Sequence, residues 1–249
     1  MAKKILWLDS ETSGLDPKRH AIVQLAMLMD INGEVVDKLT LNIKPQETDM
    51  VNFVMNDKPQ EMEWDEIQFM AEAIGNATLP VNGISFKDMI GYLDPMEAHK
   101  QIVEFLDKYI DKFNKEDKAW IGGYNVRFDL DFLAQFFEKC EDKFLGSYIK
   151  WRCLDPYTIL QNNDYKANEH LKSLSLENVC KEFELEHTAH DALSDIEATR
   201  HLWFKLMGIE ELHRCEYCAD PPDVAVIYSK IRNRWLCKQC WDVNIGENN

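Results

Sequence analysis

The chain has 249 residues, 45% of them apolar, which is enough to fill one sizeable core and leave room for a small appendage. A formal charge of -16 argues against a protein that grips nucleic acid through a broad basic face. No apolar run approaches the roughly 18 residues of a membrane helix, and acids follow the short apolar start where a signal peptide would continue. The expected setting is therefore intracellular, cytoplasmic or otherwise, not secreted, with no membrane partner.

In chain order, Lys3 to Asp9 reads as a strand, and after the turn residues Gly14 and Pro17 a second apolar run follows from Val23 to Asp30. Asn32-Gly33 is a hairpin signal, and Glu34 to Ile43 alternates as a half-buried strand does. Pro45, Pro59, Pro80 and Pro95 punctuate the next stretch, which holds short helical patterns such as Asp65 to Ile74. Between Met96 and Phe113, Ile102, Phe105, Leu106, Tyr109, Ile110 and Phe113 recur at three- and four-residue spacing, predicting an amphipathic helix. Strands are expected over Trp120 to Tyr124 and Trp151 to Leu154, and helices over Phe128 to Lys139, Ser175 to Phe183 and Asp191 to Met207. The pattern is an α/β fold, a mixed sheet flanked by helices.

The first strand ends in Asp9 and Glu11, which share a face because side chains alternate along a strand. Two anions so placed repel, and the arrangement makes sense chiefly around a cation; two solvated turn residues are the plain alternative. Further acids lie downstream. Asn125 and Asp129 fall where a strand passes into a helix, and Asp129 is also an ordinary first-turn acid. His190 and Asp191 stand at the start of the last long helix, with Asp195 one turn inside, where Asp191 serves equally well as an N-cap.

Taken together, these segments resemble the DEDDh 3'-to-5' exonucleases, the group that includes bacterial proofreading subunits and ribonuclease T. Asp9-Ser10-Glu11-Thr12-Ser13-Gly14 matches the first motif of that family, Asn125 to Asp129 the second, and His190 to Asp195 the third, in family order over residues 3 to 207. Ser13 stands where Thr is commoner, and Asp131 and Asp191 add carboxylates beside the motif acids. The resemblance implies a ribonuclease H-like domain over 1–208, with a five-stranded mixed sheet and a divergent helical insert within 44–118. It implies that Asp9, Glu11, Asp129 and Asp195 hold two Mg²⁺ or Mn²⁺ ions, and that His190 takes the proton of the attacking water. Thr12, Leu15, Asn125 and Phe128 are the implied contacts to the terminal nucleotide. The partners implied are single-stranded DNA or RNA 3' ends, and a polymerase or another replication protein. DNA is the first expectation for the substrate. An RNA-directed enzyme of the ribonuclease T or oligoribonuclease type is the alternative, and a non-catalytic nucleic-acid or polymerase-binding module is the reading from another class.

The tail is a second signal. Cys215-x2-Cys218 and Cys237-x2-Cys240, separated by eighteen residues, supply the four thiolates of a closed tetrahedral zinc site. Ala225 to Ser229 and Arg234 to Cys237 read as a hairpin between the pairs, so 209–249 is expected to be a small zinc ribbon with one structural Zn²⁺. The remaining charge balance fits this division, because Lys/Arg and Asp/Glu are equal in number from residue 213 onward and the excess acid lies before it.

Overall fold

The computed structural model describes residues 2–46, 84, 86–89, 91–167, 173–188, 191–208, 226–229 and 234–237. The chain opens with an antiparallel meander, β1 (Lys4–Thr12), β2 (Ile22–Ile31) and β3 (Glu34–Asn42). The β2–β3 turn places Asn32 and Gly33 at positive φ, 57° and 91°, the conformation that an Asn-Gly pair accepts at low steric cost. Two helices, α1 (Phe86–Met89) and α2 (Pro95–Asp107), precede β4 (Ala119–Gly122). Then come α3 (Arg127–Lys139), α4 (Leu145–Tyr148), β5 (Ile149–Leu154), α5 (Pro156–Ala167), α6 (Leu176–Glu182) and α7 (Ala192–Met207). The sheet order is β3-β2-β1-β4-β5, with β4 and β5 parallel to β1, so the five-stranded mixed sheet is present.

Alternation along β1 sorts the core into two layers. Leu6 and Leu8 face α2 and α3, in a cluster with Ile102, Phe105, Leu130, Phe132 and Leu133. Ile5 and Trp7 face the other way and pack with Ala192, Ile196 and Phe204 of α7. The helices therefore sandwich the sheet, each burying an apolar stripe on one face. Arg200 of α7 adds a buried ionic lock: its Nε donates to Asp30 Oδ2 at 2.8 Å, and a second guanidinium nitrogen donates to the Gly33 carbonyl at 2.7 Å. That lock ties α7 to the β2–β3 turn.

Several boundaries differ from the sequence expectation. β1 runs three residues further than expected, to Thr12, so Glu11 as well as Asp9 sits within the strand. The predicted helix from Met96 stops at Asp107; Ile110 still enters the core from the following loop, whereas Phe113 is almost wholly solvent-exposed. Asp117 accepts the Asp111 N–H there, which draws the chain into a turn after the helix. Helix α5 was not anticipated, and its start is explained by Asp155, which accepts from Tyr157 N–H at 3.0 Å and Thr158 Oγ at 2.9 Å just before Pro156. The expected tail hairpin forms, β6 (Val226–Ser229) against β7 (Arg234–Cys237) in antiparallel register. The helical pattern over residues 65–74 lies outside the described residues.

Candidate active site

β1 carries the first two acids and, by its alternation, sends them toward α7. Asp9 and Glu11 continue the row of Ile5 and Trp7, the row on which α7 packs. The N-terminus of α7 is held over the same end of the sheet. Asp191 caps it by accepting the Ser194 N–H at 2.8 Å, and Gln24, the β2 residue paired with Glu11, accepts the Ala192 N–H at 3.3 Å. Asp195 consequently meets the strand acids, and ligand oxygens of Asp9, Glu11 and Asp195 all lie within 4.8 Å of one another.

Asp129 reaches the cluster from the opposite face. It sits in the first turn of α3, on the side of the sheet that Leu6, Leu8 and Ser10 face. Ser10 binds it twice, through its N–H at 3.0 Å and its hydroxyl at 2.7 Å, both donating to Asp129 Oδ1. Asp129 thus lies against the residue between the two strand acids without being one of the close trio. Ser10 was not singled out from sequence, although a hydroxyl residue between two acids on a strand must face the opposite layer.

The electrostatics are those of anions crowded in a dry place. Burial raises the Asp9 carboxyl well above the ordinary carboxylate range, and the charges of Asp129, Asp195 and Glu11 raise it further. Burial likewise pushes Asp129 up to about 7 against the two opposing Ser10 hydrogen bonds. Two full charges at the 4.8 Å limit repel by about 3 kcal/mol at an effective dielectric of about 20. Protons or cations must offset that repulsion. Clustered carboxylate oxygens are hard donors that suit Mg²⁺ or Mn²⁺ and offer no soft ligand, so the donor set fits divalent metal ions.

The loop after β1 is built by its own motif residues. Ser13 pairs with Ala21, N–H to carbonyl at 2.9 Å, and its hydroxyl accepts the Ala21 N–H at 2.9 Å. Ser therefore does here what a hydroxyl of either Ser or Thr can do. Thr12 Oγ donates to the Gly14 carbonyl at 2.8 Å, and Gly14 has no room for a side chain, since a Cβ would stand 2.3 Å from the His20 ring. Between these anchors Leu15 projects outward, 78% exposed. At the β4–α3 connection, Asn125 adopts φ 53°, a left-handed conformation that Asn tolerates better than most residues. Its N–H donates to Asp155 Oδ1 at 2.9 Å, so the cap of α5 also fixes this turn. Phe128 is half-buried, its ring 4.9 Å from that of Phe132.

His190, Cys215, Cys218 and Cys240 lie outside the described residues, and Cys237 ends β7. A histidine that motif spacing did not select stands beside the trio: His187 Nε2 is 2.6 Å from Asp195 Oδ1.

Comparison with known proteins bears on the fold that carries this site. The RNase_T family model, described as an exonuclease, matches residues 86–202. An oligoribonuclease from Photorhabdus laumondii subsp. laumondii is 25% identical over 193 residues, covering 77% of this chain and 87% of that protein. The zinc-bound complex of E. coli ExoI with ssDNA superposes with a TM-score of 0.57 at 20% identity, over 83% of this chain and 41% of the other. Exonuclease I from Methylocaldum szegediense gives 0.54 at 19% identity, over 83% and 43%. The chain thus spans less than half the length of those exonuclease I chains, and at such identity the likeness is one of fold. The fold is the one these exonuclease I chains share. Residues 86–202 thus resemble an exonuclease domain. Among the described residues no helix is long and apolar enough to cross a membrane.

Proposed function

We propose that the protein hydrolyses phosphodiester bonds at single-stranded nucleic acid 3' ends and releases nucleoside 5'-monophosphates. The observation that carries this reading is the meeting of Asp9, Glu11 and Asp195 within 4.8 Å, with Asp129 lodged behind them on Ser10. Asp9, central to the cluster, would be shared between two metal positions, Glu11 and Asp195 completing one and Asp129 serving the other. Bound there, Mg²⁺ or Mn²⁺ would make a water nucleophilic near neutral pH and stabilise charge on the attacking and leaving oxygens. His190, five residues before Asp195, would accept the proton of that water as its oxygen bonds to phosphorus and the bond to the 3' oxygen breaks. Leu15 would wedge against the last base, and Thr12, Asn125 and Phe128 would line the place of the terminal nucleotide. Retention of all four acids and His190 weighs against a non-catalytic binding module.

DNA ends are the first assignment, in line with the fold shared with exonuclease I. An RNA-directed reading is favoured by a specific observation, the oligoribonuclease whose length this chain covers to 87%. Beyond residue 208, the β6–β7 hairpin between the two cysteine pairs supports a zinc ribbon held by Cys215, Cys218, Cys237 and Cys240. The test is a pair of matched DNA and RNA oligonucleotides, each labelled at the 5' end or the 3' end, incubated with Mg²⁺. A 5'-labelled strand should shorten one nucleotide at a time, and a 3'-labelled strand should release its label as mononucleotide at once. Internal fragments, or release from the 5' end, would contradict the assignment.

A further inference from the structure

We infer that His187 is a positioning residue for the metal-holding set, clamping the Asp195 carboxylate in the orientation that brings it to Asp9 and Glu11. The inference rests on the reading of those three acids as metal ligands. His187 and Asp195 are both shielded, with side chains 6% and 16% exposed, and their atoms are 2.6 Å apart. An ionised carboxylate only accepts, so Nε2 carries the hydrogen and donates it, a short charge-assisted bond. The segment bearing His187 is itself pinned to the first turn of α7: Thr188 N–H donates to Ser194 Oγ at 2.8 Å, and Ser194 N–H donates to Asp191 Oδ1 at 2.8 Å. Just upstream, Leu185 N–H donates to the Cys180 carbonyl at 2.9 Å, anchoring the same segment to α6. The imidazole is therefore a fixed donor on a braced backbone, aimed at a carboxylate that must keep one rotamer to hold an ion. Outer donors of this kind set the orientation of ligating carboxylates, and their loss commonly costs 10- to 100-fold in metal affinity.

The test measures Mn²⁺ binding directly by calorimetry on the full chain, alongside the metal dependence of oligonucleotide cleavage. His187→Ala should weaken Mn²⁺ binding about 10- to 100-fold. Its cleavage rate at saturating Mn²⁺ should return most of the way to that of the unsubstituted protein. His187→Gln, whose amide nitrogen reaches about as far as Nε2, should bind Mn²⁺ within a few-fold of the unsubstituted protein. Thermal unfolding in chelator checks that both variants fold. Mn²⁺ affinity untouched in His187→Ala would overturn the inference, and so would a Gln variant as weak as the Ala variant. Cleavage lost at saturating metal with affinity intact would assign His187 to the chemistry instead and equally overturn it. Asp9→Ala in the same titration separates the two levels: if it loses Mn²⁺ while His187→Ala does not, only the positioning role fails, and if Asp9→Ala binds normally, the metal-site reading itself fails.

Discussion

Asp129→Asn is the substitution that isolates the cost of gathering these acids. Asn retains an Oδ1 that can accept from the Ser10 N–H and hydroxyl, so the two hydrogen bonds at 3.0 and 2.7 Å survive while the charge is lost. Burial holds the Asp129 carboxyl near 7, against 3.8 for the ordinary group. The folded state therefore binds the proton more tightly than the unfolded chain. The stability this contributes is fully present below the ordinary carboxylate value and is lost as pH rises through about 7. A separation of about three pH units corresponds to about 4 kcal/mol at 1.36 kcal/mol per unit. In chelator, Asp129→Asn should thus be about 4 kcal/mol more stable than the unsubstituted protein at pH 8, and only about 1–2 kcal/mol more stable at pH 5. For a domain of this size the pH 8 difference is about 10 °C in Tm, well within reach of circular dichroism. Saturating Mg²⁺ should narrow the gap, because the unsubstituted protein binds it more tightly. A variant no more stable at pH 8 than its parent, or stabilised equally at both pH values, would refute the claim that uncompensated buried charge dominates this cluster.

Three further outcomes follow from other parts of the molecule. Arg200→Met strands the fully buried Asp30 and should cost about 3–5 kcal/mol, seen as a lower urea midpoint; a loss under about 1 kcal/mol would mean the lock between α7 and the β2–β3 turn is dispensable. Leu15→Ala removes an exposed side chain and should change stability by less than about 0.5 kcal/mol while raising KM for oligonucleotides several-fold, whereas an unchanged KM would remove Leu15 from the substrate contacts. Metal analysis of purified protein should find about one zinc per chain, reduced in Cys218→Ser, and zinc content indifferent to that substitution would argue against the four-cysteine site.

Much of the sheet was legible because its signals are local. The Asn32-Gly33 turn, the alternation of β3 and the apolar runs of β1 and β2 depend on near neighbours in the chain. The three motif segments were legible for a different reason, their joint order along the sequence. Which face each acid takes also follows from strand alternation once Ile5 and Trp7 are known to meet α7, but that knowledge is tertiary. The sequence grouped Asp129 with the other acids but did not reveal the route by which it reaches Asp9, through the sheet's other layer where Ser10 holds it. Helix α5 escaped because its residues, such as Gln161, Asn162, Asn163 and Asp164, carry little periodic apolar signal, although Asp155-Pro156 announces its start. Phe113 was assigned to a helical face because spacing alone does not reveal that the helix has already ended at Asp107. His187 was passed over because its contact with Asp195 depends on the fold-back of residues 187–188, which no periodicity encodes.

The most direct test of the central claim is the rate of 3'-end release from a single-stranded oligonucleotide by the unsubstituted protein and by Asp9→Asn, each with Mg²⁺ and with chelator. Asp9 lies at the meeting point of the other three acids, and Asn preserves its shape while removing its charge. The account predicts activity only in the unsubstituted protein with Mg²⁺, and a fall of at least about a thousandfold in Asp9→Asn, about 4 kcal/mol of barrier. Release by Asp9→Asn at the parental rate, or release that persists in chelator, would contradict it.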